Sequence, residues 1–360
     1  MKIVNDPAVI DESVYYSQIS KYLENVKNID GVISIYLMGS IKAPGLSDID
    51  IIVVVTDDFD NRQSGRLSVK NMDERVFLHG PIVVPYSLSR NIQYVFYASN
   101  LQCIYGESCL QKWDDISTEE RKLLASCYLV DFIESRFLQF SLLEGGEVDK
   151  RSWLTRVWST VHSLELYQHV VKEELPEKIK NMEAIIRQTR YDWLKKSSIP
   201  NELFIEALKA AEKANKFIFL SILEYYYGAP KLKKDLKIIS GAKKILFSND
   251  ISSELLSYRS KNLMVLKRKV NVYAAEHKPT YLAYLQDYYD VKVEWHHPPN
   301  KADKLKAIKN KRKEHVFFHR SWLDEHAKDS GSMKGYIGLD TSVKWTIKKV
   351  IERALVELVV

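Results

Sequence analysis

The first third of the chain carries apolar residues in short blocks, and the remainder repeats them at helical spacing. Gly31–Met38 and Ile49–Val55 hold near-continuous aliphatic and β-branched runs, which predicts two strands buried on both faces. Ser13 to Val26 predicts a leading helix, and Asp57 to Asn71 a polar loop with a helical piece. Arg75–Val84 predicts a third extended segment, interrupted at Gly80-Pro81, with further short strands at Asn91–Tyr97 and Leu101–Tyr105. From Ser117 the period changes. Leu129, Ile133, Phe137 and Phe140 fit one helix, ended by Gly145-Gly146; Val157, Val161 and Leu164 fit a second over Asp149 to Val171. Pro176–Lys196 is a third predicted helix, opened by its proline. Asn201 to Tyr227 is a fourth, with Leu208, Ala211, Ile218 and Ile222 inward and Gly228 to Pro230 as its stop. Beyond it, helical stretches are expected near 251–275, 301–328 and 343–358, around a break at Trp295-His296-His297-Pro298-Pro299. The expected class is α+β: a mixed sheet with helices over 1–115, a helical bundle over 116–230, and a mainly helical, basic region over 231–360.

Within this pattern one stretch carries chemistry. The first predicted strand runs into Gly39-Ser40, and the second is preceded and entered by Ser47-Asp48-Ile49-Asp50. Strand side chains alternate, so Asp48 and Asp50 share a face roughly 7 Å apart while Ile49 points to the core. Two like charges at the edge of a core call for a cation, and carboxylates with substrate phosphates are what magnesium prefers. Gly39 lets backbone approach a phosphate, and Ser40 adds a hydroxyl and an amide as donors. A plainer role is a turn capped by Ser47 and Asp48. It does not account for an acid at Asp50 followed by five apolar residues, Ile51 to Val55.

Gly39-Ser40 followed by Asp48-x-Asp50 resembles the signature of the nucleotidyltransferase-fold superfamily, the DNA polymerase β-like group that includes aminoglycoside adenylyltransferases and small bacterial nucleotidyltransferases. The resemblance covers about the first 110 residues. It implies a nucleotidyltransferase-fold sheet, an enzyme that transfers a nucleoside monophosphate from an NTP, ATP first, and two Mg²⁺ ions (Mn²⁺ as the alternative). Asp48 and Asp50 would be the catalytic metal ligands; Gly39, Ser40 and Ser47 would hold the nucleotide. The family has a third carboxylate on a later strand, and the candidates here are Asp73 and Glu74, with His79 where an acid is expected. The spacer Ile41–Ser47 is also shorter than is usual in the family. A degenerate member that binds nucleotide or RNA in a regulatory role is the alternative.

Charge sharpens the picture. The chain is +6 overall, yet residues 1–115 hold 10 Lys/Arg against 15 Asp/Glu, a balance of −5 that leaves +11 for the rest. An acidic part beside a basic one suits a polyanionic substrate, a nucleotide with a small-molecule, protein or RNA acceptor; a lysine-rich solvated surface is the plainer equivalent. Lys301 to Lys313, with seven basic residues in thirteen, either tracks a phosphate backbone or forms a solvated helix; Phe317, Phe318 and Trp322 after it fit a core stripe better than a base-stacking platform. Arg156 and His162 resemble the short motif of HEPN ribonuclease modules, but a packed core histidine is the better reading of His162. His315 and His319 have zinc spacing without the accompanying glutamate, and a structural role is preferred. Cys103, Cys109 and Cys127 lack metal spacing, as expected of reduced thiols in a cytoplasm. No apolar run has membrane-span length and the N-terminus does not read as a signal peptide, so a cytoplasmic protein without membrane contact is expected, with a homo-oligomer left open.

Overall fold

The computed structural model describes residues 2–141, 147–171, 174–227, 237–240, 243–246, 271–274 and 302–332. It is a mixed α/β structure, in which a small mixed sheet is followed by long helices. Strand β1 (Lys2–Val4) precedes helix α1 (Glu12–Val26), which Asp11 caps by accepting the Ser13 amide at 2.8 Å. Tyr15, Ile19, Tyr22 and Val26 bury one stripe of α1. The sheet behind them comprises β2 (Val32–Met38), β3 (Asp50–Val55), β4 (Ile82–Pro85) and β5 (Gln102–Gly106) in the order β4-β3-β2-β5. β2 is antiparallel to β3 and β5, and β3 is parallel to β4.

β3 is central and buried on both faces, which explains its unbroken apolar run. Ile49, Ile51, Val53 and Val55 pack into the core under α1; Ile52 and Val54 pack into the opposite core with Tyr36, Ile82 and Val84. That alternation puts Asp48 and Asp50 in register with the second set, at the end of the strand where apolar cover stops.

Two of the expected extended segments differ. Of Arg75–Val84 only residues 82–84 are strand, the start of β4, because Val76 and Phe77 turn back onto the Asp73 carbonyl. Asn91–Tyr97 contains the short helix α2 (Ile92–Val95) instead. All four of its residues are buried, so its apolar pattern held no period to read. The Gln93 amide group also bonds Ala98 at both its N–H and carbonyl, closing a turn.

The bundle follows the expected boundaries. It comprises α3 (Thr118–Ser141), α4 (Lys150–Val171), α5 (Glu177–Lys196) and α6 (Asn201–Tyr227), around a core that includes Val157, Val161, Leu164, Ile186, Phe204, Ala211 and Ile218. Gly145-Gly146 and Gly228 to Pro230 lie outside the described residues. The short strand β6 (Glu147–Asp149) pairs in parallel with β1 and ties the bundle to the N-terminus, a pairing the sequence did not suggest. Three further strands, β7 (Lys237–Ser240), β8 (Lys243–Leu246) and β9 (Asn271–Ala274), form a separate sheet. Residues 271–274 are therefore extended, where helix was expected up to 275. The rest of 251–275, the Trp295–Pro299 break and 343–358 lie outside the described residues.

The last helix, α7 (Ala302–His326), packs on the N-terminal sheet as well as on the bundle. Trp322 donates its indole N–H to the Asp57 carbonyl (2.8 Å) and Val316 enters the core beside β4. Past its end, the Ser332 hydroxyl accepts the Val83 amide of edge strand β4 at 3.2 Å. So residues 302–332 pack on both the N-terminal sheet and the bundle. The basic run is correspondingly committed. Lys309 and Arg312 are buried, the Arg312 guanidinium lies 4.3 Å from the Tyr128 ring centre, and Lys304 and Lys311 reach Glu119 and Glu120. Phe317 and Phe318 are about half exposed, so the stripe is carried by Val316, Trp322 and Leu323 instead.

His319 is fully buried on α7 and donates Nε2–H to the Val83 carbonyl at 2.6 Å. Burial presses its pKa down to about 4. The unfolded chain binds the proton near pH 6.5, so this site is neutral to stability above that pH and increasingly destabilising as pH falls from 6.5 to 4. Wild type is expected to lose ~3 kcal/mol more than His319→Leu over that window, read by urea unfolding at each pH. Equal pH slopes for the two proteins would contradict it.

Candidate functional site

β2 and β3 are antiparallel with Met38 opposite Asp50, so the turn after β2 lies beside the start of β3. Gly39 there has φ +77°, a conformation that favours glycine, and a Cβ at that position would lie 3.7 Å from Asp50 Oδ2. Ser40 is exposed, and its hydroxyl accepts the Lys42 amide at 3.3 Å. The spacer then turns inward. The Tyr15 hydroxyl donates to the Ser47 carbonyl (2.7 Å) and accepts the Gly45 amide (3.0 Å). Thr155 of α4 donates to the Leu46 carbonyl, and Trp193 of α5 to that of Pro44. Ser47 is buried, with its hydroxyl 3.3 Å from Arg190 Nη2. Of the three nucleotide-binding candidates, then, Gly39 and Ser40 stand at the mouth and Ser47 supports the loop beneath it.

The structure brings His79 to the two aspartates. One ligand atom each from Asp48, Asp50 and His79 lie within 4.8 Å of one another. His79 Nε2 is 2.8 Å from Asp50 Oδ1 and 3.6 Å from Asp48 Oδ2, while Nδ1 is 2.8 Å from the Gly80 carbonyl. A carbonyl only accepts, so Nδ1 carries hydrogen. With Nε2 donating to Asp50, the ring is an imidazolium. Burial alone would depress it, but the Asp50 hydrogen bond and the charges of both aspartates lift its pKa to about 9. Asp48 moves up to about 6, chiefly through burial and then through the Asp50 charge.

Asp73 and Glu74 are not brought into this group. Asp73 is held by Arg75 in a two-pronged ion pair (3.0 and 2.7 Å), which keeps its carboxyl below the usual range. Glu74 instead lines a cavity of about 400 Å³ shared with Lys70, Phe77, Leu78, His79 and Gly80. The residue brought to the two aspartates is thus a histidine from the loop before β4.

The residues fit a metal ion. Two carboxylates and an imidazole supply three donors on a partly exposed surface, leaving coordination positions free. A ligating histidine ordinarily donates its other N–H to a carbonyl or carboxylate, and Gly80 already provides that acceptor. An imidazole donor favours Mn²⁺ or a later transition ion over Mg²⁺. His315 and His319 do not form a second site: His319 bonds β4, and the His315 ring lies 5.2 Å from that of Tyr94. His162 is exposed beside Glu165 (3.3 Å), not packed in the core as expected, because its helix turns Val161 and Leu164 inward. The three cysteines are free thiols. None of the described helices is long and apolar enough to cross a membrane.

Arg151 and Arg190 were not singled out in the sequence. They approach the site from α4 and α5, and no local pattern distinguishes them from the other arginines of the bundle. No protein-family model matches this chain, and no curated protein shows significant similarity to it.

Proposed function

We propose that this protein is a metal-dependent nucleotidyltransferase that moves a nucleoside monophosphate from an NTP, ATP first, to a hydroxyl-bearing acceptor. The observation that carries this reading is the convergence of Asp48, Asp50 and His79 beside the Gly39-Ser40 turn. In the reaction the acceptor oxygen attacks the α-phosphorus, the bond to the β-phosphate oxygen breaks, and pyrophosphate leaves. A bound divalent ion would supply charge stabilisation for the attacking and leaving oxygens. Asp48, Asp50 and the neutral His79 Nε2 would hold it. Gly39 allows close approach of the phosphates, and the Ser40 hydroxyl and amide donate to them. Gly80, through its carbonyl, keeps the His79 ring oriented.

One observation favours a second reading, a non-catalytic nucleotide- or RNA-binding relative of the same fold. His79 as imidazolium already offsets one of the two aspartate charges without a metal. Calorimetry of ATP with Mn²⁺, with Mg²⁺ and with neither, on wild type, Asp48→Asn and Asp50→Asn, separates the two. The enzyme reading expects binding that requires a metal and weakens ~100-fold or more in each variant. ATP binding indifferent to metal and to both substitutions would leave the non-catalytic reading. Transfer of label from α-labelled ATP to an acceptor would then decide activity.

A further inference from the structure

Two arginines stand beside this site, and neither makes an ion pair among the described residues. Arg190 of α5 is partly buried, with its guanidinium 4.1 Å from the Trp158 ring centre and Nη2 3.3 Å from the Ser47 hydroxyl. Among the described residues it makes no ion pair. Its neighbour Arg187 shows what the same surface does with an ordinary arginine. Lying 5.8 Å from the same ring, Arg187 pairs with Glu183 at 2.6 Å and Glu165 at 3.0 Å. The more enclosed cation is thus the one lacking a counter-ion, the reverse of what burial energetics favour.

Arg151 of α4 has the same character. It donates to the Arg75 carbonyl, its Nε is buried without a hydrogen-bond partner among the described residues, and it makes no ion pair there. Its charge is felt by Asp48 and Asp73, but their direct partners are His79 and Arg75. Arg190 reaches the Ser47 hydroxyl, and Arg151 reaches the Arg75 carbonyl next to Val76, whose own carbonyl accepts the Ile49 amide, so both cations stand at the Ser47 end of the aspartate motif. Positive charge without a direct ion-pair partner among the described residues thus gathers next to the metal-ligand candidates.

We propose that Arg151 and Arg190 form a polyphosphate-binding pair that takes the anionic tail of a nucleoside triphosphate. This rests on the nucleotidyltransferase reading for the identity of the ligand, but the anion site is testable alone. Guanidinium groups match phosphate oxygens in geometry and supply charge-assisted hydrogen bonds. A bound phosphate would provide the counter-charge that the protein leaves out, and stacking on Trp158 holds Arg190 in place for it.

The test is calorimetric titration of the full chain with inorganic tripolyphosphate in excess EDTA at low salt. Wild type is expected to bind. Arg190→Gln and Arg151→Gln should each weaken binding ~10-fold or more, and Arg187→Gln should leave it within ~2-fold. Asp50→Asn should bind tripolyphosphate at least as well as wild type while losing metal-dependent ATP binding. No binding by wild type, or an Arg187→Gln loss as large as that of Arg190→Gln, overturns the pair. Unchanged affinity in either arginine variant does so as well. If Arg190→Gln fails to fold, as judged by circular dichroism, Arg151→Gln decides by the same threshold. Tripolyphosphate binding lost in both arginine variants, with no metal-dependent ATP binding in wild type, would uphold the pair and sink the nucleotidyltransferase reading.

Discussion

Gly80→Ala is expected to destabilise the protein by ~3 kcal/mol or more and to weaken metal binding at a site it does not ligate. A Cβ on Gly80 would fall inside contact distance of the Gly331 carbonyl oxygen, 2.6 Å from its carbonyl carbon and 3.3 Å from its Cα. These are backbone atoms and cannot rotate away. Overpacking against side chains costs about 1–3 kcal/mol, and a clash between two backbone segments stands at the upper end or above. Relief requires the 328–332 segment to lift. That releases the Ser332 cap on the Val83 amide and the Asp329 amide from the Ser64 hydroxyl. The alternative is a shift of the 79–80 segment, and the Gly80 carbonyl is what orients the His79 ring. Chemical denaturation and Mn²⁺ titration check both effects. Stability within ~0.5 kcal/mol of wild type would mean that this contact between two distant parts of the chain is not made.

The second large effect belongs to His79. In the metal-free protein its folded pKa is about 9, against 6.5 when unfolded. A raised basic group stabilises the fold fully below pH 6.5, and that contribution fades as pH rises from 6.5 to 9. The size is ~2–3 kcal/mol, on the scale of the pKa displacement and lessened by its coupling to Asp48. Asp48, raised to about 6, acts in an adjoining window: its ionisation lowers stability as pH rises from 3.8 to 6. His79→Ala should therefore be destabilised most between pH 6 and 7, where the aspartates are charged and the imidazolium is gone. By pH 9 the gap between the two proteins should shrink. Saturating Mn²⁺ should remove the high-pH loss in wild type, because the ion supplies the positive charge. His79→Asp should move the preference from Mn²⁺ toward Mg²⁺, as an all-carboxylate set is harder. Competition measured by the electron paramagnetic resonance of Mn²⁺ reads this directly. A variant with unaltered relative affinity for the two ions would exclude His79 from the ligand set.

Much of the site's frame was legible because it is local. β2 and β3 are buried on both faces, and a buried strand must be apolar throughout, so an acid at Asp50 stands out. The two-residue period then places Asp48 beside it, with Ile49 buried on the other side. α1 and the four bundle helices were legible for the same reason, since a 3.6-residue period is a property of contiguous residues. Their expected boundaries differ from the observed ones by a residue or two.

What the sequence could not settle depends on residues far apart in the chain. The third member of the cluster comes from a loop 29 residues beyond Asp50, and nothing in Leu78-His79-Gly80 says which way the ring turns. The α7 stripe reads poorly because Lys309, Arg312 and His319 lie along it. Each is buried, and the partners known for Arg312 and His319, the Tyr94 and Val83 carbonyls, are more than 200 residues upstream. Likewise, Arg190 and Arg187 look alike in sequence, and packing alone gives Arg187 its two carboxylates and Arg190 the Ser47 hydroxyl. Sequence determined β2, β3, α1, the bundle helices and the paired aspartates, because backbone periodicity and burial act over a few residues. Tertiary structure alone decided which cation meets the aspartates, where the last helix docks and which arginines lack an ion-pair partner among the described residues, because pairing of charges is set by distance in space.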